Sequence, residues 1–284
     1  MIYHKISGFS DEIAADIDTQ FRVLNRLNIP YFEPRGIDGK NISELSEEEA
    51  VRLKGKMDAF GIKASSIGSP IGKVKLEAPF EPHFQLFQKV VGTAEILGAQ
   101  YIRIFSFFHD GGDAWTEKER AEILLRLGRM IEYAKKHHVI LLHENEKEIY
   151  GSTADRCQDL MQTLSCDHFK AVFDPANFVQ CGQDITYAYE VMKEYIAYVH
   201  IKDACYGDGH VVPAGAGDGK VEYVLKQLFD WGYQGYLSLE PHLGSFKGLA
   251  ELEQNDKMTK LPKSGEETYT LAYQALCKIL KKIM

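Results

Sequence analysis

Four short apolar runs each end in a residue able to ligate a metal ion. Val139-Ile140-Leu141-Leu142-His143 leads into Glu144, Ala171-Val172-Phe173 into Asp174, Ala197-Tyr198-Val199 into His200, and Tyr236-Leu237-Ser238-Leu239 into Glu240. Three carboxylates and one imidazole make an oxygen-rich donor set for a divalent cation. Mn²⁺ is the first expectation, with Mg²⁺ and Co²⁺ suited to the same donors. Zn²⁺ fits less well, because it favours more nitrogen or sulfur. Taken singly, a strand-end His is more often hydrogen-bonded than metal-bound, and a strand-end Glu is more often a solvated charge. Four in succession are harder to explain that way, because clustered carboxylates repel one another without a cation. The four lie 30, 26 and 40 residues apart in turn. Each spacing is close to one strand–helix unit, so the residues fall at equivalent ends of neighbouring strands and converge.

The rest of the chain supplies the frame. Strands are expected at Tyr3–Phe9, Tyr31–Pro34, Ile62–Ile67, Tyr101–Phe107, Val139–His143, Lys170–Phe173, Ala197–Ile201 and Tyr236–Glu240. Between them fall helical patterns. Ile17, Phe21, Leu24 and Leu27 share one face. Ser46-Glu47-Glu48-Glu49 and Thr116-Glu117-Lys118-Glu119 are capping boxes, and Gly61 and Gly98 stand as helix terminators. Further helices are expected from Ser152 to Leu164, Asp184 to Tyr195, Val221 to Trp231, and from Glu266 onward. Strictly alternating β and α elements form a parallel sheet. Eight units with ligands at successive strand ends favour closure into one α/β (β/α)8 TIM barrel, a single domain over 1–284, rather than an open doubly wound sheet.

Two long loops follow ligand-bearing strands. The first, Tyr206–Lys220, has five glycines; its Gly215-Ala216-Gly217-Asp218-Gly219-Lys220 end matches neither a dinucleotide fingerprint nor a P-loop. The second is Leu243–Gly265. Each fits a cover over the barrel mouth as well as it fits a plain surface excursion.

The composition bounds the partners. Of 284 residues, 41 are acidic and 33 basic, for a net charge of −8, which argues against a nucleic-acid or anionic-membrane surface. Charges at Asp11 and Glu12 precede any long apolar stretch, and no run approaches membrane-spanning length, so neither a secretory leader nor a membrane anchor is expected. Five scattered cysteines without a Cys-x-x-Cys pair fit free thiols in a reducing, cytoplasmic setting. Homo-oligomerisation is left open.

His143-Glu144-Asn145, Phe173-Asp174-Pro175-Ala176-Asn177, Val199-His200-Ile201-Lys202-Asp203 and Glu240-Pro241-His242 together resemble the motifs of the xylose isomerase-like barrel superfamily. It includes sugar phosphate isomerases and epimerases, ketose 3-epimerases, inosose dehydratases, hydroxypyruvate isomerases and endonuclease IV. The resemblance covers nearly the whole chain. Val199–Asp203 and the later Val212-Pro213-Ala214-Gly215-Ala216-Gly217, similar to the family's Pro-x-Gly-x-Gly, are its most specific parts. It implies that Glu144, Asp174, His200 and Glu240 are metal ligands, and that Glu144 and Glu240 also move protons in a sugar or sugar phosphate isomerase or epimerase. The chemistry suits such a site: one carboxylate abstracts the proton beside a carbonyl, an enediolate forms, and the other returns the proton. An inosose-type dehydratase would expel a hydroxyl from the same intermediate. An endonuclease-type phosphodiesterase is a further reading, and a non-enzymatic carbohydrate binder is disfavoured by the intact ligand set.

Asn177 stands where many relatives, the nuclease among them, have a His; it is a weak metal ligand and a good hydroxyl binder. Arg35 and Lys202 are candidate anchors for substrate oxygens. His109 and His210 are the remaining candidates, as substrate contacts or as nuclease-type ligands. Glu33, two residues before Arg35 on the same side of its strand, fits a rim salt bridge with it as well as a functional role. His143 and His242 are expected to point away from the metal, and Trp115 and Trp231 to serve packing.

Overall fold

The expected helix signals act where they stand. In the computed structural model, which describes residues 3, 5–112, 114–244 and 264–284, Ser46 and Glu49 close a capping box at the start of Glu47–Phe60. Thr116 and Glu119 do the same for Glu117–Lys136, and Ser264 and Glu267 for Gly265–Ile283. Each box satisfies backbone N–H groups that the first turn leaves without partners. Gly61 and Gly98 end Glu47–Phe60 and Phe80–Leu97 with φ of 69° and 70°, a left-handed conformation that costs glycine little.

Eight strands form the barrel: β1 Ile6–Gly8, β2 Tyr31–Phe32, β3 Lys63–Ala64, β4 Tyr101–Ile104, β5 Ile140–Glu144, β6 Phe169–Phe173, β7 Ile196–Ile201 and β8 Tyr236–Leu239. Six of them make one continuous parallel sheet in the order β1-β8-β7-β6-β5-β4. Parallel β2 and β3 close the ring. The Ile67 N–H donates to Tyr101 O at 2.8 Å, the Arg103 N–H to Ile67 O at 2.9 Å, and the Glu33 N–H to Gly8 O at 2.9 Å. β2 is shorter than the sequence reading because Pro34 has no N–H with which to extend the ladder.

The helices cover the outside of the sheet: α1 Ile17–Arg26, α2 Glu47–Phe60, α3 Phe80–Leu97, α4 Glu117–Lys136, α5 Ala154–Leu164, α6 Pro175–Gln180, α7 Ile185–Met192, α8 Val221–Asp230 and α9 Gly265–Ile283. Leu24, Leu127, Leu160, Leu225 and Leu276 are fully buried against it, each stabilising the layer by roughly 1.5–3 kcal/mol. The short α6 is absent from the sequence reading, although Asp174-Pro175 is a helix-start signal: Pro175 takes the first helical position and Asp174 caps it. Loop Leu243–Gly265 lies largely outside the described residues.

The barrel interior is filled in tiers. Tyr31, Tyr101, Tyr198 and Tyr236 pack edge to face or tilted at its N-terminal end, beside Leu142 and Val172. Above them comes a polar tier of Ser7, Ser65, Ser238 and Glu33, and above that a charged tier at the C-terminal mouth.

Candidate metal centre

Glu144 closes β5, Asp174 follows β6, His200 lies near the end of β7 and Glu240 follows β8. These strands are consecutive neighbours in the sheet. The four side chains are buried, and one ligand atom from each lies within 4.8 Å of all the others. Metal–oxygen bonds of about 2.0–2.3 Å allow ligand atoms up to roughly 4.5 Å apart, so closure on an ion needs shifts of a few tenths of an ångström. His200 Nδ1 is 2.9 Å from Glu144 Oε1, 3.5 Å from Glu240 Oε2 and 3.8 Å from Asp174 Oδ2. Asp174 divides its work: Oδ1 caps α6 by accepting the Asn177 N–H at 2.9 Å, while Oδ2 faces the cluster. Glu144 Oε2 and Asp174 Oδ2 are buried and make no aligned hydrogen bond, each having an ion-pair contact at 3.1 Å. Inward donor atoms of this kind, three oxygens and a nitrogen, fit a divalent ion and leave its identity open.

The chain also supplies its own cations. Lys202 Nζ bridges Asp174 Oδ2 at 3.1 Å and Glu240 Oε2 at 3.0 Å. Arg103 Nη1 is 3.1 Å from Glu144 Oε2, and Arg35 Nη1 donates to Glu240 Oε1 at 3.2 Å. Clustered carboxylates here therefore do not by themselves demand a metal; the inward Nδ1 and the convergent oxygens carry that inference. Phe9 forms the floor, with both guanidinium groups over its ring and His200 against it edge to face.

Burial resists ionisation of Glu144, but the His200 and Arg103 charges outweigh it and hold the carboxyl down at about 2. Glu240 is likewise held well below the usual carboxylate range: burial opposes this, and Lys202 and His242 prevail. For Asp174 burial prevails over Lys202, and the neighbouring Glu240 and Glu144 charges add to it, lifting the carboxyl to about 7. Burial and Lys202 disfavour charge on His242, yet Glu12 and Glu240 raise it to about 9.

The remaining candidate residues divide. Asn177 joins the centre, its amide donating to Glu144 Oε1 at 3.2 Å and to Asn145 O at 2.9 Å. Lys202 and Arg35 join it too, the latter also held by Asp11 and Glu12. His109 stacks on Trp115 at 3.7 Å and bonds Gly112 O and Glu119 in the first turn of α4, and His210 bonds Asp208 in its own loop; neither set of contacts includes a residue of the four-ligand cluster. Glu33 is no rim residue. It is buried, 3.3 Å from His200 Nε2 though off the line of a straight hydrogen bond. His242 does not turn away: it is two residues beyond Glu240, on the same side of the chain, and its Nε2 is 3.4 Å from Glu240 Oε1. Trp231 is largely exposed, under Lys193, rather than packed. Arg103, Glu12 and Phe9 were missed; the signal for Arg103 was a charge inside an apolar barrel strand.

The glycine loop turns inward on its own chain. Asp203, fully buried, accepts N–H groups from Ala204 at 2.9 Å, Gly215 at 2.8 Å, Gly217 at 3.0 Å and Gly219 at 2.8 Å. A backbone nest that elsewhere holds anions is here filled by an aspartate.

A closed parallel barrel with its ionisable residues gathered at the C-terminal mouth is the architecture of the (β/α)8 enzymes. The chain belongs to the xylose isomerase-like TIM barrel family, whose model matches residues 21–260. It is similar in structure to the IolI protein solved with a bound zinc atom (16% identity, 99% of each chain covered, TM-score 0.77). It is also similar to L-ribulose 3-epimerase (16% identity, 98% of this chain and 95% of that one, TM-score 0.77). A third is the probable 3-DHS dehydratase AsbF from Bacillus anthracis (15% identity, 96% and 98%, TM-score 0.72). No curated protein matches the chain. No described helix is long and apolar enough to cross a membrane.

Proposed function

We propose that the protein is a divalent-metal-dependent isomerase or epimerase of a small sugar or sugar phosphate, working in the cytoplasm by proton transfer through an enediolate. The observation that carries this reading is the convergence of Glu144, Asp174, His200 Nδ1 and Glu240 at four adjacent strand ends. A divalent ion held by these four residues, Mn²⁺ by first preference, would polarise the substrate carbonyl and offset the charge that develops on its oxygen.

The protein's part follows from its geometry. Glu144 and Glu240 stand on the outer two of the four strands, so they flank whatever sits between. Both are ionised at neutral pH, and either is ready to accept the proton beside the carbonyl. The glutamate that takes the proton can return it to the neighbouring carbon, giving an aldose–ketose pair. For an epimer, the opposite glutamate first takes a proton from solvent and gives it to the same carbon from the other face, and the first glutamate then releases its own proton to solvent. Asn177 and Lys202 are placed to orient substrate hydroxyls, and Phe9 with the tyrosine tier below keeps water from entering beneath.

A dehydratase reading is second, favoured by His242. Protonated at neutral pH and 3.4 Å from Glu240, it could give a proton to a departing hydroxyl. An endonuclease is disfavoured: among the described residues one metal-capable group occurs, not a three-metal cluster. Assay of ketoses, inososes and abasic DNA with added Mn²⁺ tests the proposal. Interconversion of a ketose with its epimer or aldose supports it. Turnover confined to inososes or to DNA replaces it with the dehydratase or the nuclease.

A further inference from the structure

Beneath the four ligand residues the barrel holds a carboxylate with no part in the proton transfers. Glu33 is 1% exposed. Its Oε2 accepts the Tyr198 hydroxyl at 2.9 Å and the Ser238 hydroxyl at 2.7 Å, from the strands on which His200 and Glu240 also sit. Tyr198 in turn meets Ser65 at 2.8 Å, and Ser65 meets Ser7 at 2.5 Å. The same Oε2 lies 3.3 Å from His200 Nε2, in contact with it but off the line of its N–H, and Oε1 has no hydrogen-bond partner among the described residues. The imidazole is also wedged edge to face by Phe9, centroids 5.2 Å apart, and by Tyr198 at 5.8 Å. Its two nitrogens thus have different surroundings: Nδ1 meets three carboxylates of the candidate centre, and Nε2 meets Glu33.

A ligating imidazole keeps one proton, and the partner of the far nitrogen decides where it stays. We propose that Glu33 is the positioning residue of the metal centre: its carboxylate keeps the His200 proton on Nε2 and thereby presents the Nδ1 lone pair to an ion shared with Glu144, Asp174 and Glu240. The inference rests on the metal-dependent reading above and adds a residue that does not touch the ion. Tyr198 and Ser238 fix the height of the carboxylate, and Phe9 and Tyr198 fix the ring plane. A glutamine at position 33 weakens the preference. Its neutral amide oxygen, held in place by the Tyr198 and Ser238 hydroxyls, attracts the Nε2 proton less than a carboxylate does, so the Nδ1 lone pair is presented less firmly.

The test is Zn²⁺ titration calorimetry on metal-free wild type, Glu33→Gln and Tyr198→Phe, with ¹⁵N-imidazole spectra of the Zn²⁺-loaded wild type as a direct readout. Glu33→Gln should bind Zn²⁺ some 10–100-fold more weakly, the cost typical of losing such an outer partner. Tyr198→Phe keeps the ring against the imidazole and the Glu33 charge, with Ser238 still holding the carboxylate, and should therefore lose clearly less affinity than Glu33→Gln. The wild-type spectrum should show His200 protonated at Nε2 and bound through Nδ1. Wild-type affinity in folded Glu33→Gln, an equal loss in Tyr198→Phe, or a His200 bound through Nε2 would each overturn the inference while leaving the metal reading intact. A wild-type protein that takes up no Zn²⁺ would instead remove the metal reading, and this role with it. If Glu33→Gln does not fold, the wild-type spectrum decides alone.

Discussion

Replacing Asp203 with alanine tests whether the glycine loop is held by its neighbour's carboxylate. Four backbone N–H groups, from Ala204, Gly215, Gly217 and Gly219, end on that side chain. Burial outweighs these donors and raises the carboxyl above its ordinary range. The four bonds are therefore counted at the ordinary net value of about 1 kcal/mol each rather than at the charge-assisted value. Gly215 is exposed, so water recovers part of that total, and a loss of about 2–3 kcal/mol is expected. For a domain of this size each kcal/mol moves the melting temperature by roughly 2–4 °C, so Asp203→Ala should melt about 4–12 °C below wild type. Gly217→Ala should behave alike, because a Cβ there would sit 2.5 Å from both Ala204 O and Asp203 Oδ1. Scanning calorimetry, with limited proteolysis across Tyr206–Lys220, reads both effects. An Asp203→Ala protein melting with wild type, its loop uncut, would refute the latch.

Glu144→Gln and Glu240→Gln should each lower turnover by at least about 10²-fold, the usual worth of a positioned acid or base. Glu240→Gln should change the melting temperature little, since Arg35 keeps Asp11 and Glu12 as partners, whereas Glu144→Gln takes from buried Arg103 its carboxylate at 3.1 Å and should melt lower. Wild-type turnover in either variant rules out its proton-transfer role. His143 is buried with both ring nitrogens unpartnered, and burial lowers its pKa to about 4. The folded state thus binds fewer protons than the unfolded one between about 6.5 and 4, so this residue's contribution is intact above pH 6.5 and is lost as pH falls to 4, about 3 kcal/mol in all. Urea denaturation at pH 7 and 4.5 should show a smaller acid loss for His143→Leu than for wild type, and parallel losses would assign the acid sensitivity elsewhere.

The four ligand candidates were legible because each ends an apolar run, and the repeat of one strand–helix unit brings such ends together. Asp174 was legible twice over, since the pattern that marks it as a strand-end carboxylate also marks it as a helix cap before Pro175. The supporting groups were not, because ring closure alone chooses their partners. Arg35 and Glu240 are 205 residues apart, and no local pattern pairs them. The sequence reading passes over Arg103 and takes Glu33 only as a partner of Arg35 at the rim or a functional residue of no stated role; the tiers of the barrel interior set one at the mouth and the other beneath His200. Alternation was expected to turn His242 away from the metal, but it lies two residues beyond Glu240 and faces it, and nothing local in the glycine loop announced that Asp203 fills its backbone nest.

The central claim is proton transfer by Glu144 and Glu240 at a metal-held sugar. Its most direct measurement is turnover of an accepted ketose by the Mn²⁺-loaded enzyme in deuterated water, with the product read by mass spectrometry and ¹H NMR. A glutamate that has taken the proton can exchange it with solvent before returning it. Deuterium should therefore enter at the carbon beside the carbonyl, in a product that has lost no water. A product lighter by one water would assign the chain to the dehydratases. A product free of deuterium at every early time would mean that hydrogen passes directly between carbons, and the two glutamates would be ligands alone.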